Sequence, residues 1–303
     1  MAMDKELNSL LAAIEKSDYS HIPYEHFYMT DIFSEEFYNE IIEFLPSDRA
    51  YLPLYHPDAS NEEKGWTGKP QPKRWGLFSE TYRGGKSTRG TIFLNRAFIE
   101  KTTGPWERVA NILYSPELKD ALFKKFSKTI LLRGDKAWKK GRYNPSYYTG
   151  GNFTAEPSVS LTRDKEAYQI KIHPDSYKKM VTFQLYLPKD NSHENIGTIV
   201  NAPVGKDVPK GWLKTRNEKV DGRGPNYHDG NQAKLPEYKR FKFHRNSGYA
   251  FPVSDRSFHS VEKLPLLDGF NRDTIMVTYY LEKGMGAWRL RKERWGDKGV
   301  WIP

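Results

Sequence analysis

Residues 167–188 read AYQIKIHPDSYKKMVTFQLYLP, and their alternation decides the fold. In Met180–Leu187 the apolar residues Val181, Phe183, Leu185 and Leu187 fall on one face of an extended chain. Thr182, Gln184 and Tyr186 fall on the other, because side chains alternate along a strand. A polar face of this kind is normally turned to solvent; in a jelly roll that encloses a cavity, it lines the interior instead. Tyr168–Ile172 supplies a second strand, and between the two stand His173 and Asp175, two residues apart and therefore on one side of the chain.

Outward from this stretch the same period recurs. Thr129–Arg133, Val159–Thr162, Gly197–Val200, Arg240–Phe243, Gly248–Val253 and Thr274–Leu281 read as further short strands. About eight strands with few helical patterns between them predict an antiparallel sandwich or barrel. The first 130 residues read as largely helical, after a short strand at Tyr24–Met29. Leu7, Leu10, Leu11 and Ile14 follow helical spacing over residues 4–16. Ser34 caps a second helix reaching about Leu45, with Glu35 and Glu36 favourably placed in its first turn. Ser115 and Pro116 open a third, to about Phe126. A polar stretch occupies 56–90, and no internal repeat or linker divides the 303 residues. The expected class is therefore α+β, mainly β. One domain covers 1–303, with a helix-rich support region at 1–130, a β core at 131–283 and a tail at 284–303.

Composition narrows the chemistry. The chain has no cysteine, which excludes disulfides, thiolate metal sites and a cysteine nucleophile together. Any metal is left to His, Asp or Glu. The aromatic share of 14% suits sheets better than a helical bundle. A net charge of +10 is compatible with an anionic ligand or nucleic acid, but a solvated Lys-rich surface accounts for it equally well. The first twenty residues lack the apolar run of a signal peptide, and no stretch is long and apolar enough to span a bilayer. A cytoplasmic location is the expectation.

A third candidate ligand for a metal shared by His173 and Asp175 lies 86 positions downstream, in AFPVSDRSFHSVEKL (250–264), where His259 follows a strand. Two imidazoles and a carboxylate on one face leave coordination positions open, as an oxygen-activating iron requires. A second HPD occurs at His56–Asp58, but in a polar turn without a strand on either side. Its presence shows how readily such triplets arise, and context selects the copy at 173. Lys178 and Lys179, which follow it, read as surface charges.

The strand RDTIMVTYYL (272–281) adds a basic residue. Arg272 and Thr274, at i and i+2, face the same side, and a guanidinium beside a hydroxyl can grip a carboxylate.

In the pattern HxD … H … RxT the chain resembles the Fe(II)/2-oxoglutarate dioxygenase superfamily, of free-standing hydroxylase type. HFYMTDIFSEEFYNEIIEFLP (26–46) resembles the N-terminal strand and helix of such members. SLTRDKEAYQIKIHPDS (160–176) and NSGYAFPVSDRSFHSVE (246–262) resemble the two metal-bearing segments. The resemblance implies a double-stranded β-helix buttressed by N-terminal helices, with Fe(II) on His173, Asp175 and His259. It implies 2-oxoglutarate as cosubstrate, O2 as oxidant, and Arg272 with Thr274 on the distal carboxylate. Thirteen positions separate His259 from Arg272, slightly more than in many members, with LPLLDGF (264–270) in the interval. Tyr168, Gln184 and Tyr186 are candidates for the rest of the cosubstrate site. A carboxylate at 175 favours hydroxylation or desaturation over halogenation, since related halogenases lack it there.

The substrate expected is a small polar metabolite of amino-acid or sugar type. The long segments Gly134–Pro157 and Asn201–Glu237 hold KKGRYNPSYYTGG (139–151) and KGWLKTRNEKVDGRGPNY (210–227), which suit either a lid or plain surface insertions. The tail AWRLRKERWGDKGVWIP (287–303) suits packing against the domain or a second subunit better than nucleic acid. Peptidyl or prolyl hydroxylation stays open. An AlkB-type nucleic-acid demethylase is disfavoured by Thr278, where that family carries a second arginine. A cupin-like binding protein without catalysis is the alternative outside enzymes. Nothing in the sequence fixes an oligomeric state.

Overall fold

The strand read in Met180–Leu187 is present as Lys179–Tyr186, at the centre of an eight-stranded antiparallel sheet. The computed structural model describes residues 4–48, 51–53, 73–77, 82–83, 86–87, 104–130, 155–175, 179–202, 235–254, 256–265 and 269–281. The strands are β1 (Asp18–Ser20), β2 (His26–Met29), β3 (Leu52–Pro53), β4 (Arg74–Leu77), β5 (Tyr82–Arg83), β6 (Lys86–Ser87), β7 (Ala155–Asp164), β8 (Ile170–His173), β9 (Lys179–Tyr186), β10 (Ile199–Asn201), β11 (Glu237–Arg240), β12 (Ser247–Pro252), β13 (His259–Val261) and β14 (Arg272–Leu281). The large sheet runs β1-β2-β12-β9-β14-β7-β4-β3, and a four-stranded sheet runs β11-β10-β13-β8. Among the described residues, β5 and β6 pair with each other alone.

The two faces of β9 meet two different interiors. Val181, Phe183 and Leu185, with Leu161, Ile275 and Val277 from neighbouring strands, pack on the helices in the larger core. These are α1 (Lys5–Lys16), α2 (Glu35–Glu43), α3 (Trp106–Leu113) and α4 (Pro116–Lys125). The opposite face looks between the sheets, where Tyr186, Tyr249 and Phe251 meet Val200 and Val261 in a second core. This is the two-sheet jelly roll, or double-stranded β-helix, with helices on the outer face of its large sheet.

The helices form where the caps predict. Asp4 accepts from the amides of Glu6 and Leu7, and Leu7, Leu10 and Ile14 are buried at helical spacing. Ser34 and Ser115 cap α2 and α4. Buried Glu6 fastens the first two helices together. Its carboxylate accepts from both the amide and the hydroxyl of Ser34 at 2.8 Å.

Several expectations change. Residues 127–130 are helical, not part of a strand at Thr129–Arg133, and 131–133 lie outside the described residues. Phe126 and Ile130 are both buried, and the Ile130 amide donates to Phe126 O, so packing of an i, i+4 pair overrides β-branching. The strand read at Arg240–Phe243 is Glu237–Arg240 instead. Phe241 and Phe243 alternate into the inter-sheet core, but their amides donate to Thr198 O and Glu194 O rather than to a ladder. Among the described residues of the first 130, β1, β3 and β4 also join the large sheet, beyond the one short strand read there at Tyr24–Met29. Helix α3 went unread; Trp106 anchors it by donating from Nε1 to Phe44 O at 2.7 Å. Strand β7 begins at Ala155, inside one of the two long segments read as loops. Residues 131–154 and 203–234, which make up most of them, lie outside the described residues, as does the tail.

Candidate metal centre

His173 ends β8 and His259 begins β13, and the antiparallel register sets these two residues directly opposite each other. Their rings are 4.5 Å apart, centre to centre. Asp175 follows β8 at once and is buried, with His259 Nε2 4.0 Å from its Oδ2. One ligand atom from each of the three lies within 4.8 Å of the others. Donors bound about 2.1 Å from one ion at right angles stand roughly 3 Å apart, so small side-chain rotations close the set.

Each imidazole is aimed by its other nitrogen. His173 Nδ1 lies 2.8 Å from Lys171 O, and His259 Nδ1 lies 2.9 Å from Ser257 O. A carbonyl can only accept, so Nδ1 carries the proton and Nε2 offers its lone pair to the cluster. Burial holds His259 below its ordinary 6.5, with Asp175 opposing more weakly, which favours the neutral, ligating form.

The carboxylate is held at both oxygens. Thr182 Oγ1 donates to Asp175 Oδ2 at 2.7 Å, and Lys179 Nζ donates to Oδ1 at 2.6 Å. Burial alone would raise Asp175, but Lys179, then His259 and His173, outweigh it and hold the carboxyl well below the usual range. Lys179 is thus mostly buried and paired, not the surface charge its sequence context suggested. Lys178, and the second HPD at His56–Asp58, lie outside the described residues. Thr278 stands directly opposite Thr182 on β14, buried, with its hydroxyl unpaired among the described residues. An orphaned hydroxyl beside the cluster fits a group that arrives from outside the chain.

The five remaining candidates belong to one buried polar network on the inner face of the large sheet. Arg272 is 1% exposed and donates from Nη1 to Asp164 Oδ2 (2.8 Å), from Nη2 to Thr198 Oγ1 (3.1 Å) and from Nε to Ile196 O (3.0 Å). Thr274 Oγ1 meets Thr162 Oγ1 at 2.7 Å and accepts from Gln184 Nε2 at 2.8 Å. Tyr249 OH bonds Gln184 Oε1 and lies 2.9 Å from Thr198 Oγ1. Tyr186 OH accepts from the Thr198 amide at 2.8 Å, and its ring lies under the Arg272 guanidinium. Tyr168 OH accepts from Arg74 Nη1.

Asp164, Arg74, Thr198 and Tyr249 were not singled out from the sequence. Asp164 and Thr162 sit on the polar phase of SLTRD (160–164), a signal that alternation could have given; Arg74 and Thr198 meet them only through pairing across strands. Burial works against charge on Arg272, but Tyr186 and Asp164 outweigh it and keep the guanidinium protonated. Burial and then Tyr186 push the Tyr249 phenol up; of the two charged groups, Arg272 pulls it down and Asp175 adds to the rise.

No protein-family model and no curated protein sequence matches the chain. Solved structures with a similar layout include a prolyl hydroxylase from Trichoplax adhaerens in complex with a hypoxia inducible factor oxygen degradation domain peptide fragment. It shows 11% identity over 91% of this chain and 89% of that chain, at a TM-score of 0.40. A 2OG-Fe(II) oxygenase family oxidoreductase from Burkholderia pseudomallei shows 9% identity over 92% of each chain, at a TM-score of 0.39. HygX from Streptomyces hygroscopicus, with nickel, 2-oxoglutarate and hygromycin B bound, shows 9% identity over 92% of this chain and 88% of that chain, at 0.42. In its jelly roll and in the His-Asp-His set that two of its strands bring together, the chain is similar to the Fe(II)/2-oxoglutarate dioxygenase superfamily.

Proposed function

We propose that the chain is an Fe(II)- and 2-oxoglutarate-dependent dioxygenase that hydroxylates an unactivated C–H bond of a small polar metabolite, of amino-acid or sugar type. The observation that carries this reading is the cluster of His173, Asp175 and His259, three neutral-or-anionic donors without a fourth protein ligand among the described residues. Fe(II) bound there supplies the coupled oxidation of 2-oxoglutarate and substrate by O2. His173 and His259 present Nε2, each fixed by a backbone carbonyl, and Asp175 presents a carboxylate oriented by Thr182. Arg272 and Thr274 hold the distal carboxylate of 2-oxoglutarate, with Gln184, Tyr186 and Tyr168 shaping the interior around it. The whole chain acts as one oxygenase domain, with the strands from its first 130 residues widening the sheet that carries the site. Among the described residues no helix is long and apolar enough to cross a membrane.

The test is succinate formed from 2-oxoglutarate when air is admitted to anaerobically purified, Fe(II)-loaded protein. Succinate is expected from the wild type and from His56→Ala, and not from His173→Ala or Asp175→Ala. Candidate amino acids, sugars and proline-containing peptides are then ranked by how much they accelerate turnover. A wild type that binds neither Fe(II) nor 2-oxoglutarate sinks the reading and leaves a binding protein on a jelly-roll fold.

A further inference from the structure

Three residues at directly opposed positions on three adjacent strands form a row on the inner face: Arg74 on β4, Asp164 on β7 and Arg272 on β14. Their exposures are 7%, 0% and 1%. Asp164 Oδ2 meets Arg272 Nη1 at 2.8 Å, and its Oδ1 lies 2.9 Å from Arg74 Nε. The second contact is an ion pair without hydrogen-bond alignment. Arg74 Nε and Asp164 Oδ1 are both buried atoms with no hydrogen bond among the described residues. Arg74 otherwise reaches Tyr168 OH and, at 3.4 Å, Thr162 Oγ1, which in turn touches Thr274.

The charges of the row do not balance. Burial pushes Asp164 up while both guanidiniums pull it down, so among the described residues the row carries at least one uncompensated positive charge whether or not that proton is bound. A buried cation without a counterion is costly, and a structural ion pair would need only one of the two arginines. One further carboxylate makes the row neutral. Arg272 has spent three of its five N–H groups among the described residues, so donors remain for it.

We propose that Arg74 is a second guanidinium of the carboxylate anchor, and that a ligand carboxylate completes the row beside Arg272, with Asp164 keeping the two cations in place. This rests on the reading of Arg272 as the cosubstrate anchor. Its consequence is that removing Arg74 narrows the preference for a 2-oxo acid with a distal carboxylate over one of equal length that ends in a methyl group.

The experiment compares equilibrium binding of 2-oxoglutarate and 2-oxopentanoate to Ni(II)-loaded, full-length protein by calorimetry. Arg74→Met is expected to weaken 2-oxoglutarate about tenfold or more, the size of a lost hydrogen bond to a charged group, while 2-oxopentanoate is unaffected. In turnover, KM for 2-oxoglutarate rises by more than kcat falls. If Arg74→Met loses its near-UV circular dichroism, Arg74→Lys decides the matter. It keeps the charge but not the fork, so a smaller loss confined to 2-oxoglutarate supports the proposal. Wild-type selectivity in a folded Arg74 variant overturns it and leaves Arg272 as the anchor. A wild type that binds no 2-oxoglutarate overturns it together with the function proposed above.

Discussion

Lys179 donates to Asp175 Oδ1 at 2.6 Å, so the carboxylate that faces His173 and His259 already has a cation beside it. The ammonium opposes any divalent ion that enters the cluster. A unit charge at about 4 Å is worth roughly 1 kcal/mol even in a water-like dielectric. Lys179→Met is expected to tighten Ni(II) binding by about tenfold, read by calorimetric titration. Weaker binding would show instead that the ammonium orients the carboxylate.

Thr182 makes the opposite contribution. Its hydroxyl holds Asp175 Oδ2, the oxygen nearer His259. Removing a hydrogen bond to a metal-binding carboxylate typically costs about 10- to 100-fold in metal affinity. Thr182→Val should show that loss with an unchanged melting temperature, and Thr182→Ser should recover most of it. An unaffected Kd for Ni(II) in Thr182→Val would remove the hydroxyl from the account.

Protons should compete poorly with the metal near neutral pH. The His259 pKa is lowered from 6.5 by burial, and Asp175 is held low by Lys179 and the two imidazoles against its own burial. Lowered values mean that both groups stay in their ligating forms as pH falls past 6.5. So far as His259 and Asp175 set it, Ni(II) affinity is therefore expected to stay level from pH 8 to about 6.5. The unfolded chain protonates this histidine first, so acid below that range favours unfolding. A His259 imidazole that titrates at or above 6.5, followed by NMR in the metal-free protein, would contradict its assignment as a buried ligand.

Gly197 precedes Thr198, which binds both Arg272 and Tyr249. A Cβ on Gly197 would stand 1.7 Å from Phe241 O, a backbone atom that cannot rotate away. Gly197→Ala should cost about 1–3 kcal/mol or more, seen as a melting temperature lower by several degrees. An unshifted melt would mean that the Phe241 segment gives way freely.

What the sequence determined by itself is the local pattern. Alternation in Met180–Leu187 separated an apolar face, which packs in the core, from a polar face left open to solvent or to an interior, and the closed sheets bury that second face. Caps at Ser34 and Ser115 started helices because a side-chain oxygen two or three residues from a free amide acts locally. The HxD spacing likewise put His173 and Asp175 on one side, since two residues along an extended chain is a matter of geometry alone. His259 was named as a third donor from its place after a strand, but the pairing of distant positions was beyond such reasoning. Nothing local pairs His259 with His173 across β13 and β8, or lines up Arg74, Asp164 and Arg272. Lys179 looked like surface charge because its neighbours are polar, and burial, which only the closed sheets create, turned it into the counterion of Asp175. At Phe126–Ile130 a β-branched run became helix for the same reason, because the core that received those side chains outweighed their own preference.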